Sequence, residues 1–165
     1  MNTLWSYFWP VFAVGLLAGT VSGIFGLRRG RDRRVALGTG LLVALALAGL
    51  WHGPLGAADR LSGRIERNIQ NALVYYEMTQ VTGHLQHGPL TRRVQLSGRA
   101  DDFQRSELAR LMDYIPGVSG ATWSRARGLP LIAEGFAATL LGFLFGLLLA
   151  YLVELHRRHN AQWNW

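Results

Sequence analysis

From Leu4 to Leu27 the chain carries no charged side chain, and these 24 residues exceed the ~20 that an α-helix needs to cross the hydrocarbon of a bilayer. A second apolar stretch, Val35 to Trp51, follows after a short basic link at residues 28–34, and a third runs from about Leu129 to Leu155. This layout predicts three transmembrane helices, the first two joined as a tight hairpin, with a polar segment between the second and the third. Trp5, Tyr7, Phe8 and Trp9 stand at the start of the first span, where amphipathic rings favour the headgroup layer, and Pro10 falls within its first turns. A cleavable leader would carry positive charge ahead of its apolar core. Met1 to Thr3 carry none, so the first stretch is expected to be retained.

Half of the 165 residues are hydrophobic and only 16% are charged, which leaves chain for three spans and one small domain but not for a large catalytic core in water. We therefore expect no enzyme and no cofactor, with function residing in surfaces. All 17 basic residues are Arg, and the formal charge is +7. The arginines cluster beside the apolar stretches, which topology alone explains, so nucleic acid is not an expected partner. The absence of Cys excludes disulfides and thiolate metal sites. Arg28, Arg29, Arg31, Arg33 and Arg34 in the link, with Arg157 and Arg158 after the third span, outnumber Arg60, Arg64, Arg67, Arg125 and Arg127 on the other side. The excess places the link and the C-terminus in the cytoplasm, and the N-terminus and central segment outside.

Glycines recur at helical spacing within the spans: Gly15, Gly19 and Gly23 in the first, then Gly135, Gly142 and Gly146 in the third. Residues four apart share a helix face, and a face without side chains lets another backbone approach closely. These are the candidate helix-packing residues. They serve contacts within the chain, with other integral membrane subunits, or with further copies of it. Glu134 and Glu154 fall near the ends of the third span, and no ionisable residue lies near the centre of any span, which argues against a transporter or proton channel.

Between Ala58 and Trp123 the periodicity changes. Leu61, Ile65, Ile69, Ala72, Leu73 and Tyr76 recur as one face of an amphipathic helix, opposite Arg60, Arg64, Arg67, Asn68 and Asn71. Thr79–Leu85 and Arg92–Arg99 read as strands, with Val94 and Leu96 alternating against Arg93, Gln95 and Ser97 around a turn at Gly88-Pro89. Asp101 or Asp102 then caps a second helix whose buried side would be Phe103, Leu108, Leu111, Met112 and Ile115. Pro116-Gly117 stops it, and Val118–Ser124 returns as a third strand. The expected fold is thus three transmembrane α-helices with an inserted α+β domain in the order helix, strand, strand, helix, strand. Its divisions are a transmembrane hairpin at 1–57 with spans at about 4–27 and 35–51, a domain at 58–125, and a third span with a short tail at 126–165.

That order, together with Val94-Gln95-Leu96-Ser97-Gly98, the polar-start helix and Ile115-Pro116-Gly117-Val118, resembles the BON domain of bacterial envelope proteins over about residues 58–124. Gly98 would turn the chain from strand to helix, and Gly117 would take the positive φ that ends one. The chain departs from the common pattern in having a single copy, a long first hairpin and Ala121-Thr122-Trp123 at the last strand. The resemblance implies a non-catalytic module in the periplasm of a Gram-negative bacterium that binds phospholipid or other envelope components; with the three spans, the expected location is the inner membrane. It carries no motif-defined ligand residues.

His84 and His87, and likewise His156 and His159, have metal-ligand spacing, but the first pair falls on a strand, where residues three apart point to opposite faces, and the second in a basic tail. No metal is expected at either. His52 at a span end has no facing His for a haem. Ser97 and Ser106 lack a nucleophile motif, and Asp101-Asp102 reads as a cap. The domain arginines Arg60, Arg64, Arg67, Arg92, Arg93 and Arg99 are the candidates for contact with anionic phospholipid. Trp163 and Trp165 form a candidate docking tail or interfacial anchor. The expected function is an accessory or scaffold subunit of a larger membrane assembly. The alternatives are a free-standing phospholipid-binding envelope-maintenance protein and, through homo-oligomerisation, a channel or transporter component.

Overall fold

In the computed structural model, residues 3–28, 32–124 and 128–162 are described. In chain order the elements are α1 (Trp5–Arg28), α2 (Arg33–His52), α3 (Ala57–Tyr75), β1 (Val81–His87), β2 (Leu90–Gly98), α4 (Asp102–Asp113), β3 (Gly120–Thr122) and α5 (Leu131–Gln162). They divide into two compact units, one of Met1–Tyr7 with Gly56–Glu134, the other of Phe8–Leu55 with Gly135–Trp165. The first unit is wider than 58–125 because it takes in the first turns of α1 and α5. Among the described residues three helical segments are long and apolar enough to cross a membrane: α1, α2 and Leu131–Ala161 of α5.

The helical unit is organised by glycine. A methyl group built on Gly15 would lie on the Thr139 carbonyl and 3.0 Å from the Phe143 nitrogen, and one on Gly19 would lie on the Phe143 carbonyl. From the other helix, a methyl on Gly142 would lie on the Phe12 carbonyl, and one on Gly146 would lie on the Leu16 carbonyl and 2.6 Å from the Thr20 nitrogen. The two glycine rows thus mesh backbone to backbone, a packing available only where side chains are missing. Gly23 continues the seam against Ala150 Cβ, 2.7 Å from such a methyl, and Gly135 is buried. The hydroxyls nearby need no partner across the seam: Thr20 donates to the Leu16 carbonyl at 2.8 Å and Thr139 to the Gly135 carbonyl at 3.0 Å. Toward α1, α2 makes its close approach at Gly40, where a methyl would meet Ser22 at 2.6 Å, and it buries Ala44 and Ala48. It is the least covered of the three helices.

The α+β unit has a three-stranded sheet in the order β1-β2-β3, antiparallel between β1 and β2 and parallel between β2 and β3. Leu61, Ile65, Ile69 and Leu73 of α3 are buried at intervals of four, and Val81, Leu85, Val94 and Leu96 present the opposing face of the sheet. Leu108 and Met112 of α4 complete the core. Asp101 starts α4 with a full capping box, accepting from the Gln104 N–H at 2.7 Å while its own N–H donates to Gln104 Oε1 at 3.1 Å. Gly117 has φ +105 and lies against Ile65, where a side chain would collide at 2.8 Å, and Gly98 has φ +130. Both positions therefore demand glycine.

Three sequence expectations are corrected. Phe103 is 75% exposed, because the buried line of α4 runs through Leu108 and Met112, and position 103 falls about 160° from it, on the opposite side of the helix. Tyr76 lies beyond α3 and is exposed, since the chain turns away through Glu77 at φ +57. β3 is shorter than Val118–Ser124: Trp123 leaves the sheet, donates from Nε1 to the Arg105 carbonyl at 2.9 Å and lies under the Arg105 guanidinium.

Side chains reach backbone groups on both sheet edges. On β1, Gln70 Nε2 donates to the Gly83 carbonyl at 3.2 Å, and Glu66 Oε1 accepts from the Leu85 N–H at 3.1 Å. On β3, Asp113 Oδ1 accepts from the Ala121 N–H at 2.9 Å. These bonds occupy three of the backbone groups that an added strand would use.

Two expectations follow. Gly19→Ile should lower the stability of the helical unit by about 3 kcal/mol, the upper range for overpacking, read as a fall in melting temperature in detergent. Gly38→Ile, whose added methyl meets nothing within 4 Å, should leave it unchanged. Glu66→Ala should cost the α+β unit about 1–2 kcal/mol and speed hydrogen exchange at Leu85 while leaving that of Val94 slow.

Candidate functional site

Arginine chemistry dominates the α+β unit, and the fold sorts its guanidinium groups into two kinds. Arg92 belongs to the first. On β2 it donates from Nε to Glu134 Oε2 at 2.7 Å, from one terminal nitrogen to Glu134 Oε1 at 3.2 Å, and from the other to the Gly117 carbonyl at 3.2 Å. The side chains are 19% and 18% exposed. A fork-to-fork pair of this kind is geometrically specific, and it ties β2 to the first turn of α5, beside a bridge between Thr91 and Pro130. Arg92 is therefore removed from the set of lipid-facing candidates. Arg110 pairs with Glu107 at 2.9 Å, and that hydrogen bond raises its pKa above the ordinary arginine value. Arg105 is spent on Trp123 at 5.5 Å from the ring centroid.

The second kind remains at the surface. Arg60, Arg64 and Arg67 are exposed, and their spacing of four and three puts them on one face of α3. Arg99 is exposed, whereas Arg93 is half-buried, its aliphatic stem against Gly128. Arg29, Arg31, Arg125, Arg127 and the proposed docking tail, Trp163 and Trp165, lie outside the described residues.

Several of the histidine, serine and aspartate candidates have local partners. A bulge between Leu85 and His87 leaves both His84 and His87 exposed rather than on opposite faces, and His87 Nε2 lies 3.0 Å from Glu66 Oε1. Asn160 Nδ2 is 3.0 Å from His156 Nε2. The Ser97 hydroxyl meets Thr82 Oγ1 at 2.9 Å, and Ser106 donates to the Phe103 carbonyl at 2.8 Å. Among the described residues no three His, Asp or Glu side chains group as metal ligands.

What the unit offers outward is a polar sheet face and large exposed apolar side chains. Thr82, His84, Gln95 and Ser97 line the side of the sheet away from the core. Val74, Tyr75, Phe103 and Tyr114 are each at least 70% exposed. Compared with known proteins, the chain matches no protein-family model, no curated protein and no solved structure.

Replacing Arg92 by Gln should destabilise the α+β unit by about 2 kcal/mol, between the costs of breaking an exposed and a buried ion pair. Arg92→Lys should recover little of the loss, since an ammonium cannot reproduce the fork. Thermal melting of the three proteins side by side checks both statements.

Proposed function

We propose that this is a non-enzymatic protein of a bacterial inner membrane, held by three transmembrane helices and presenting a BON-like interaction domain in the periplasm as an accessory or scaffold subunit of a larger membrane complex. The observation that carries the reading is the exposure of Val74, Tyr75, Phe103 and Tyr114 on a domain whose core is otherwise filled. Large apolar side chains left in water at this level are the raw material of protein contacts, and aromatic ones most of all. The partly occupied sheet edges favour recognition through side chains over strand addition. The order of elements and the glycines at 98 and 117 support the BON-like assignment.

A second reading rests on a different face. Arg60, Arg64 and Arg67 on α3 are exposed together, and a row of guanidinium groups beside a bilayer favours anionic headgroups by roughly 1 kcal/mol each. In that reading the protein binds phospholipid without a protein partner.

The experiment is purification of the tagged chain from its native membrane in mild detergent, with quantitative mass spectrometry of whatever co-migrates. The accessory-subunit reading expects a constant set of foreign membrane subunits at fixed stoichiometry, lost from the double variant Tyr75→Ser, Phe103→Ser while its melting curve is unchanged. Recovery of the chain alone or with lipid, and loss of that lipid from Arg64→Gln, Arg67→Gln, would select the second reading.

A further inference from the structure

Two apolar grooves in the helical unit open at the same turn of chain. One, of about 500 Å³, runs between α1 and α2 past Ala18, Val21, Phe25, Ala36, Thr39 and Val43, with Asp32 at the link end. The other, of about 270 Å³, lies among α1, α2 and α5, lined by Gly23, Leu27, Leu37 and Leu148, and carries Arg33 and Tyr151. Asp32 and Arg33 are consecutive, so the two grooves meet at the N-terminus of α2. On α2 the larger is lined from Val35 to Val43, a stretch of nine residues or about 13 Å at 1.5 Å per residue.

The chemistry at that meeting point is cationic. Arg28, Arg33 and Arg34 are exposed and, among the described residues, make no ion pair, against the single carboxylate of Asp32. The first turn of α2 has no side-chain cap, so its N–H groups and the positive end of its dipole add to the same field. Arg157 and Arg158 in α5 differ, since Glu154 is 3.1 Å from each. A phosphate flanked by two hydrocarbon tails matches a cationic point flanked by two apolar grooves.

We propose that an anionic diacyl phospholipid binds here, its phosphate at the first turn of α2 against Arg28, Arg33 and Arg34 and one acyl chain in each groove. The site is distinct from the basic face of α3, and it stands whether or not the protein has foreign subunits.

The full chain, delipidated in detergent, is titrated with phosphatidylglycerol, phosphatidylcholine and inorganic phosphate, and bound lipid is counted by native mass spectrometry. One phosphatidylglycerol per chain is expected to persist, with phosphatidylcholine at least about tenfold weaker and inorganic phosphate unable to displace it. The double variant Arg33→Gln, Arg34→Gln should weaken binding by about fivefold per arginine. Thr39→Phe, which fills the larger groove and leaves every charge in place, should also lose the retained lipid, whereas Arg157→Gln with Arg158→Gln should keep it. Equal binding of phosphatidylcholine, displacement by inorganic phosphate, or full retention by Thr39→Phe overturns the proposal; melting curves establish that each variant is folded.

Discussion

The helical unit depends on the backbone contact between α1 and α5. Inside a membrane the apolar surface of a helix gains nothing by leaving lipid for another helix, so association has to come from close packing. Gly15 and Gly19 on one helix and Gly142 and Gly146 on the other supply it by letting carbonyl oxygens and Cα atoms meet with no side chain between them. The contact joins the first helix of the chain to the last, across about 120 residues, and closing so long a loop costs more than a local contact does. A seam of several glycines, with the flanking hydroxyls satisfied within their own helices, offsets that cost without burying an unpaired polar atom. α2 has a much weaker claim on its neighbours, through Gly40, Ala44 and Ala48, and the grooves beside it are the consequence.

In the α+β unit the same economy is applied to charge. A small core of Ile65, Ile69, Leu73, Val94, Leu96, Leu108 and Met112 supports only a short sheet, and a short sheet has two vulnerable edges. Glu66, Gln70 and Asp113 take backbone groups of β1 and β3, and Arg92 is drawn inward by Glu134 and Gly117. Polar side chains that a list of residues would assign to the surface are therefore structural. Arg64 and Arg67 on α3 and the arginines at the start of α2 make no ion pair among the described residues, and their positive charge faces outward.

That division shapes the functional reading. Exposed aromatics on the α+β unit suit protein contacts, uncompensated arginines at the α1–α2 link suit a lipid phosphate, and the two demands fall on different residues. On the proposed readings, a lipid and a protein partner would be held by different residues.

Much of this was legible from spacing. The uncharged runs, the four-residue glycine rows, the stripe Leu61-Ile65-Ile69-Leu73 and the alternation around Val94 and Leu96 are local periodicities, and the geometry of a single helix or strand converts them directly into faces. The Asp101 cap belongs to the same class, since its partner is three residues away. Tertiary structure alone decided that Arg92 would meet Glu134, 42 residues on, that Glu66 would close the edge of β1, that Phe103 and Tyr76 would miss the core, and that Asp32 and Arg33 would open onto two grooves. Such pairings depend on how elements approach one another, and no repeat in the chain records that approach. The sequence by itself determined which faces exist; packing determined what each face meets, because a side chain's period is set by its own backbone and its partner by someone else's.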